Sequence, residues 1–122
     1  MLDKVNLSEK FDMFDEYWTP KITGEMNGQY IKLAKLKGEF VWHTHDNEDE
    51  YFQVIKGSIN IHLREQTIVL EEGESFIVPK GVEHKPEALE EAHVMMIVPK
   101  AAQHTGGVKS SLTVETENQE RL

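Results

Sequence analysis

Apolar and polar residues alternate along this chain in short stretches, and glycine, proline or acidic turns break the alternation at frequent intervals. From residue 29 onward the pattern is strand-like. Residues 30–36 form a first strand, closed by a turn at Lys37-Gly38. Residues 50–56 follow, then 58–64, where Ile59, Ile61 and Leu63 alternate with Asn60 and His62. Residues 64–67 read as a hairpin loop before a strand over 68–70. Glu72-Gly73 turns into residues 75–78, and 92–98 is the last clear strand. A period of two places successive side chains on opposite faces. Short strands at this spacing predict an antiparallel sandwich or barrel. Ahead of them Leu7, Phe11, Phe14 and Trp18 fall at helical spacing behind Ser8, a capping residue type, and Pro20 ends the segment. This predicts a short amphipathic helix over one end of the barrel. After Pro99 the periodicity is lost, and the rest reads as a polar tail, surface-hugging or partly disordered. The expected organisation is one domain over 1–122: helix and arm at 1–28, barrel at about 29–99, tail at 100–122.

Length and charge narrow the reading. With 122 residues there is room for one core. Asp and Glu number 22 against 13 Lys and Arg, a net charge of −9, which opposes nucleic acid and anionic membrane surfaces. There are no cysteines, so neither a disulfide framework nor a thiolate metal site is available. The first residues carry no apolar run of signal-peptide length, and no stretch approaches a membrane span. A soluble, cytoplasmic protein is the expectation.

The candidate chemistry lies in two glycine-punctuated segments. The first runs from Gly38 through His43, His45 and Glu50 to Gly57, and the second from Gly73 through Pro79 and Gly81 to His84. His43 and His45 are two apart and share a face in a strand. The acidic turn at 46–49 lets the chain reverse and return Glu50 opposite them. Two imidazoles and a carboxylate converging on a point make a metal site, and His84 is the fourth candidate ligand. A lone histidine pair is better read as polar residues on strand ends. Four such residues in a two-part spacing point to metal, because burying them without an ion is costly.

These segments resemble the two motifs of the cupin superfamily, HxH-x4-E-x6-G and G-x5-P-x-G-x2-H. Gly38 stands one residue closer to His43 than is usual, and Ala88 replaces a frequent Asn. Neither change touches a ligand position. The resemblance spans about residues 38–98 and is nearest to small single-domain cupins of unassigned activity. Some of those carry a mannose-6-phosphate-isomerase label by similarity. It implies an all-β fold, an antiparallel jelly-roll β-barrel (a double-stranded β-helix) with a short N-terminal helix. It also implies pairing into a homodimer through strand edges, using part of residues 29–36.

Three histidine nitrogens and one carboxylate leave open positions on a six-coordinate divalent ion, and Fe, Mn, Ni and Zn all accept that set. Phe52 and Val54 share parity with Glu50 and are expected on the inner wall, with Phe76 and Val78 placed similarly. His62 either lines the barrel or faces solvent. With these five as the candidate substrate pocket, the site is mostly apolar with a metal at one side, which suits a small organic ligand. His93 is expected to be structural and His104 solvated. Asp46–Asp49 lack the glycine and distal glutamate of a calcium loop and read as a solvated acidic turn that adds negative charge at the site mouth. No free general base stands out. The expected function is a metal-dependent enzyme on a small organic molecule, of oxygenase or isomerase type; the alternative is a non-catalytic binding or sensing cupin. A sugar phosphate is disfavoured, because few basic residues, Arg64, Lys80 and Lys85 among them, stand near the motifs to grip a phosphate.

Overall fold

The longest strand connects both halves of the barrel. In the computed structural model, which describes residues 3–102, 114–115 and 118–122, the elements are α1 (Leu7–Phe11), β1 (Lys21–Met26), β2 (Gln29–Glu39), β3 (Glu50–Lys56), β4 (Ile59–Leu63), β5 (Thr67–Leu70), β6 (Ser75–Val78) and β7 (His84–Pro99). β7 runs antiparallel to β2 from the Gln29–Pro99 pair to the Glu39–Glu87 pair. Its later residues also pair with β3, and its first four pair with β4. One sheet is therefore ordered β1-β2-β7-β3-β6, while β5 and β4 continue from the start of β7. The register slips between Leu36 and Gly38, opposite the exposed Leu89–Glu91 stretch. A bulge there bends both strands and lets them pass from one sheet into the other. This is the all-β jelly-roll expected from the sequence.

The strand pattern explains the core. Inward residues from both sheets meet in one cluster: Ala34 and Leu36, Phe52 and Val54, Ile59 and Ile61, Val94 and Met96. The last strand begins eight residues earlier than its apolar alternation suggests. Over residues 84–91 the inward positions are His84, Pro86 and Ala88, and the outward ones are largely charged.

The N-terminal segment departs from expectation. The helix is only five residues long, is capped by Asn6 rather than Ser8, and ends at Phe11. It lies on the outer face of the sheet, not over the barrel end. Phe11 and Phe14 are buried with Leu33, against Ile55 and Met95. Trp18 instead joins the barrel core, with a positive φ of 56° and its Nε1 donating to the Lys37 carbonyl at 2.9 Å. One apolar set at helical spacing thus serves two separate cores.

β1 falls in a segment where no strand was expected. It forms a hairpin with β2 through Asn27-Gly28, both at positive φ. Asn-Gly is the strongest two-residue hairpin signal and was the clue to this strand. The polar tail expected beyond residue 99 falls mainly on residues outside the described set, as does His104. Its last residues pack beside β1: Ile22 exchanges backbone hydrogen bonds with Glu120 and Leu122, and Arg121 donates to the Tyr30 hydroxyl at 2.8 Å. Among the described residues no helix is long and apolar enough to cross a membrane.

Candidate metal centre

The two motifs meet backbone to backbone. His43 and His84 form an isolated antiparallel bridge, with N–O distances of 3.0 and 2.9 Å. The Gly81 amide donates to the His45 carbonyl at 2.8 Å, and the Lys80 amide to Asp49 Oδ1 at 2.9 Å. Gly81 holds a φ of +80°, which lets the Pro79–Gly81 turn close against the His45 loop. His43 and His45 are not on a regular strand, as their spacing suggested; residues 40–49 form a loop that the second motif clamps. Glu50 opens β3 and His84 opens β7, so two of the four side chains are set by rigid strands.

The side chains of His43, His45, Glu50 and His84 converge. One potential ligand atom from each lies within 4.8 Å of all the others, and all four residues are buried. His43 Nδ1 bonds the Val41 carbonyl at 2.8 Å and His84 Nδ1 the Val82 carbonyl at 2.9 Å. Each of those rings therefore keeps Nε2 for the centre, the arrangement typical of metal-ligating histidines. His84 Nε2 stands 3.2 Å from Glu50 Oε1. His45 Nε2 is 3.4 Å from the same oxygen, yet it is buried without a hydrogen-bond partner. An orphaned buried nitrogen facing a carboxylate is what a ligand set looks like around a cation. The residues present fit a divalent metal.

The charges agree with that reading. Burial, reinforced by His84, pushes the His43 imidazole down to about 4. It is neutral and ready to ligate at neutral pH. Burial also pulls His45 down, but Glu50, helped by Glu48 and Asp46, outweighs it and holds His45 above its ordinary value. For Glu50, burial acts upward and is overcome by His45 and His84, which hold the carboxylate at about 2.

Beside the cluster is a cavity of about 30 Å³, reached by His43 and Glu50. Ala34 and Leu36 of β2, Met96 of β7, and Trp18 stacked on Phe40 at 4.7 Å form most of its wall. Of the five expected pocket residues, Phe52 lines it. Val54 and Val78 are sealed in the core, although Val78 is the strand partner of Glu50, and Phe76, the partner of Phe52, packs against that core. His62 is on the outer face, where Nδ1 meets Thr67 Oγ1 at 2.9 Å and Nε2 meets Glu87 Oε1 at 2.7 Å. Its neighbours Ile59 and Ile61 take the inward positions, so His62 cannot. Trp18 and Phe40 were not expected at the cavity; Trp18 had been assigned to a helix by its spacing. None of Asp46–Asp49 lines the cavity. His93 is structural as expected, stacked on Phe11 at 4.5 Å.

Comparisons with known proteins agree with this geometry. A family model described as "Cupin domain" matches residues 30–99. A crystallised cupin-2 domain protein from Shewanella frigidimarina is 47% identical, covering 78% of this chain and 93% of its own, with a TM-score of 0.77. A crystallised protein from Neisseria meningitidis is 28% identical over 80% of this chain and 99% of its own, with a TM-score of 0.73. The uncharacterised Bacillus subtilis protein YdbB is 37% identical over 62 residues. That match takes in 50% of this chain and 55% of YdbB, so the chain spans about half the length of this relative.

Proposed function

This chain belongs to the cupin family, and from that membership we propose that it is a metal-dependent enzyme acting on a small organic molecule, by oxygenase- or isomerase-type chemistry. The observation that carries the reading is the buried four-residue cluster, with His45 Nε2 left unpaired, opening onto an apolar cavity. His43, His45, Glu50 and His84 would hold one divalent ion, Fe, Mn, Ni or Zn. Bound there, the ion supplies Lewis acidity or oxygen activation at coordination positions the protein leaves open. The chain's own residues set the conditions. The Val41 and Val82 carbonyls fix the His43 and His84 rings. Phe52, Trp18 and Phe40 wall the metal-facing end of the cavity and would pack against the carbon skeleton of a ligand.

A sugar phosphate fits this interior poorly. Arg64 lies over the Trp42 ring at 3.8 Å and donates to Glu83 at 2.6 Å, and Lys85 bonds Glu39 at 3.2 Å. Neither lines the cavity.

The test is elemental analysis of protein purified without added metal, then of the H45A variant. About one ion per chain is expected in the wild type, as a single four-ligand site implies, and H45A should lose most of it with the β-rich circular dichroism spectrum intact. Metal should also leave as pH falls into the imidazole range, because protons compete for the ligating nitrogens, and His45 is the most proton-prone of the perturbed histidines. Full occupancy in H45A would refute the assignment.

A further inference from the structure

We propose that Lys32 is an anion anchor, holding the carboxylate of a ligand whose second oxygen donor reaches the metal cluster. This deepens the metal-dependent reading and rests on it. Tyr30, Lys32, Ala34 and Leu36 occupy one face of β2, the face turned into the barrel, and Ala34 and Leu36 line the cavity. The strand partner of Lys32 on β7 is Met96, which also lines the cavity. Lys32 is therefore the next inward position on β2 beyond the cavity lining, beside Ala34 and Met96 but not itself in that lining.

Its side chain is 1% exposed. Among the described residues two other lysines are buried, and both are satisfied. Lys21 Nζ bonds Glu16 at 3.1 Å and Glu120 at 3.0 Å, and Lys35 Nζ donates to the Phe14 carbonyl at 2.6 Å. Lys32 Nζ has no hydrogen-bond acceptor or ion-pair partner among the described residues; its contact is the Tyr30 ring, 5.8 Å from the nitrogen to the centroid. Enclosing an ammonium with no hydrogen-bonded acceptor is costly, and Glu50 offsets that only through its charge, so the position favours an anion that bonds the nitrogen directly. The Glu50 charge favours the protonated form while burial draws it down to about 8, which leaves the group cationic at neutral pH.

The chemistry of the anion follows from the donor. One ammonium, without an arginine fork or a helix N-terminus beside it, matches a singly charged carboxylate better than a phosphate dianion, which takes several donors. With the metal cluster reaching the same cavity, the ligand class is a small organic acid with a hydroxyl, oxo or second carboxylate group to offer the ion. The acidic residues 46–49 stand outside the cavity lining and do not repel it from within.

The test uses zinc-loaded wild type and K32M, which keeps the length of the side chain and removes the charge. Calorimetric titrations compare lactate, pyruvate and succinate with lactamide, pyruvamide and succinamide, alongside zinc content. At least one acid should bind the wild type about tenfold tighter than its amide, the scale of one charge-assisted hydrogen bond. K32M should lose that preference, bind the amide unchanged and keep its zinc. If K32M does not fold, K32Q carries the same comparison. No acid preferred over its amide, or an undiminished preference in the variant, overturns the anchor while retained zinc leaves the metal site standing. A wild type that takes up no zinc overturns the metal reading and the anchor with it.

Discussion

Lys32 sets burial against charge within a single residue. Its folded value of about 8 lies below the 10.5 of an ordinary lysine. Between those two pH values the unfolded chain holds a proton that the folded chain has released, so stability rises with pH across that window. Below about 8 the buried charge is a fixed cost. K32M is therefore expected to be more stable than the wild type at pH 7, with the gap narrowing from pH 8 towards 10.5; urea midpoints at a series of pH values measure it. A gap that stays constant would show that Lys32 carries no such penalty. Nothing in the sequence marks this residue. The alternation around it is blurred because β2 is covered on both faces, by the barrel core on one and by Phe11 and Phe14 on the other. The four candidate ligands were legible for the opposite reason. Their residue types are expensive to bury, and their spacing relative to fixed glycines and a proline restricts how they can meet.

At the scale of elements, turns were easier to read than strand ends. Gly57 follows the end of β3 and Gly73 sits in the turn between β5 and β6, at positive φ of +85° and +81°. They differ in surroundings. A Cβ on Gly57 would lie 3.1 Å from the Glu91 carbonyl oxygen and 3.3 Å from Ala92 Cα, while one on Gly73 meets nothing within 4 Å. G73A should cost only the backbone conformation, about 1 kcal/mol. G57A adds a clash with the backbone of β7 and should cost roughly 2–4 kcal/mol. Equal losses in thermal or urea unfolding would contradict this ranking. β3 and β6 match their expected limits because each has alternating apolar residues between clear turn signals. β1 and the first half of β7 do not, because, Ile22 apart, their buried positions hold lysine, histidine, proline or alanine, whose place only pairing with β2 and β4 supplies. The helix was overestimated because Trp18 shares the spacing of Phe11 and Phe14 but turns into the barrel through a left-handed backbone.

For the whole molecule, the cluster ties the loop at residues 40–49 to the starts of β3 and β7, so a metal held there would couple its binding to folding. Saturating zinc at about 100 times its Kd should raise wild-type stability by about 2.7 kcal/mol. H45A should show little of that gain in a thermal melt, and a gain as large as the wild type's would place the metal elsewhere. The sequence by itself determined the fold class and picked out the four candidate ligands. These depend on local signals: period-two alternation, glycine and proline turns, and residue types that need a partner when buried. Only the tertiary structure decided what surrounds the ligands. It put His62 outside and Lys32 inside, brought Trp18 and Phe40 to the cavity, and left Val54 and Val78 sealed in the core. The reason is that a strand's alternation says which residues share a face but not which face is covered. Here that depends on a helix laid against the outer sheet and on a bulged β7 shared between two sheets, contacts made by residues far apart in the chain.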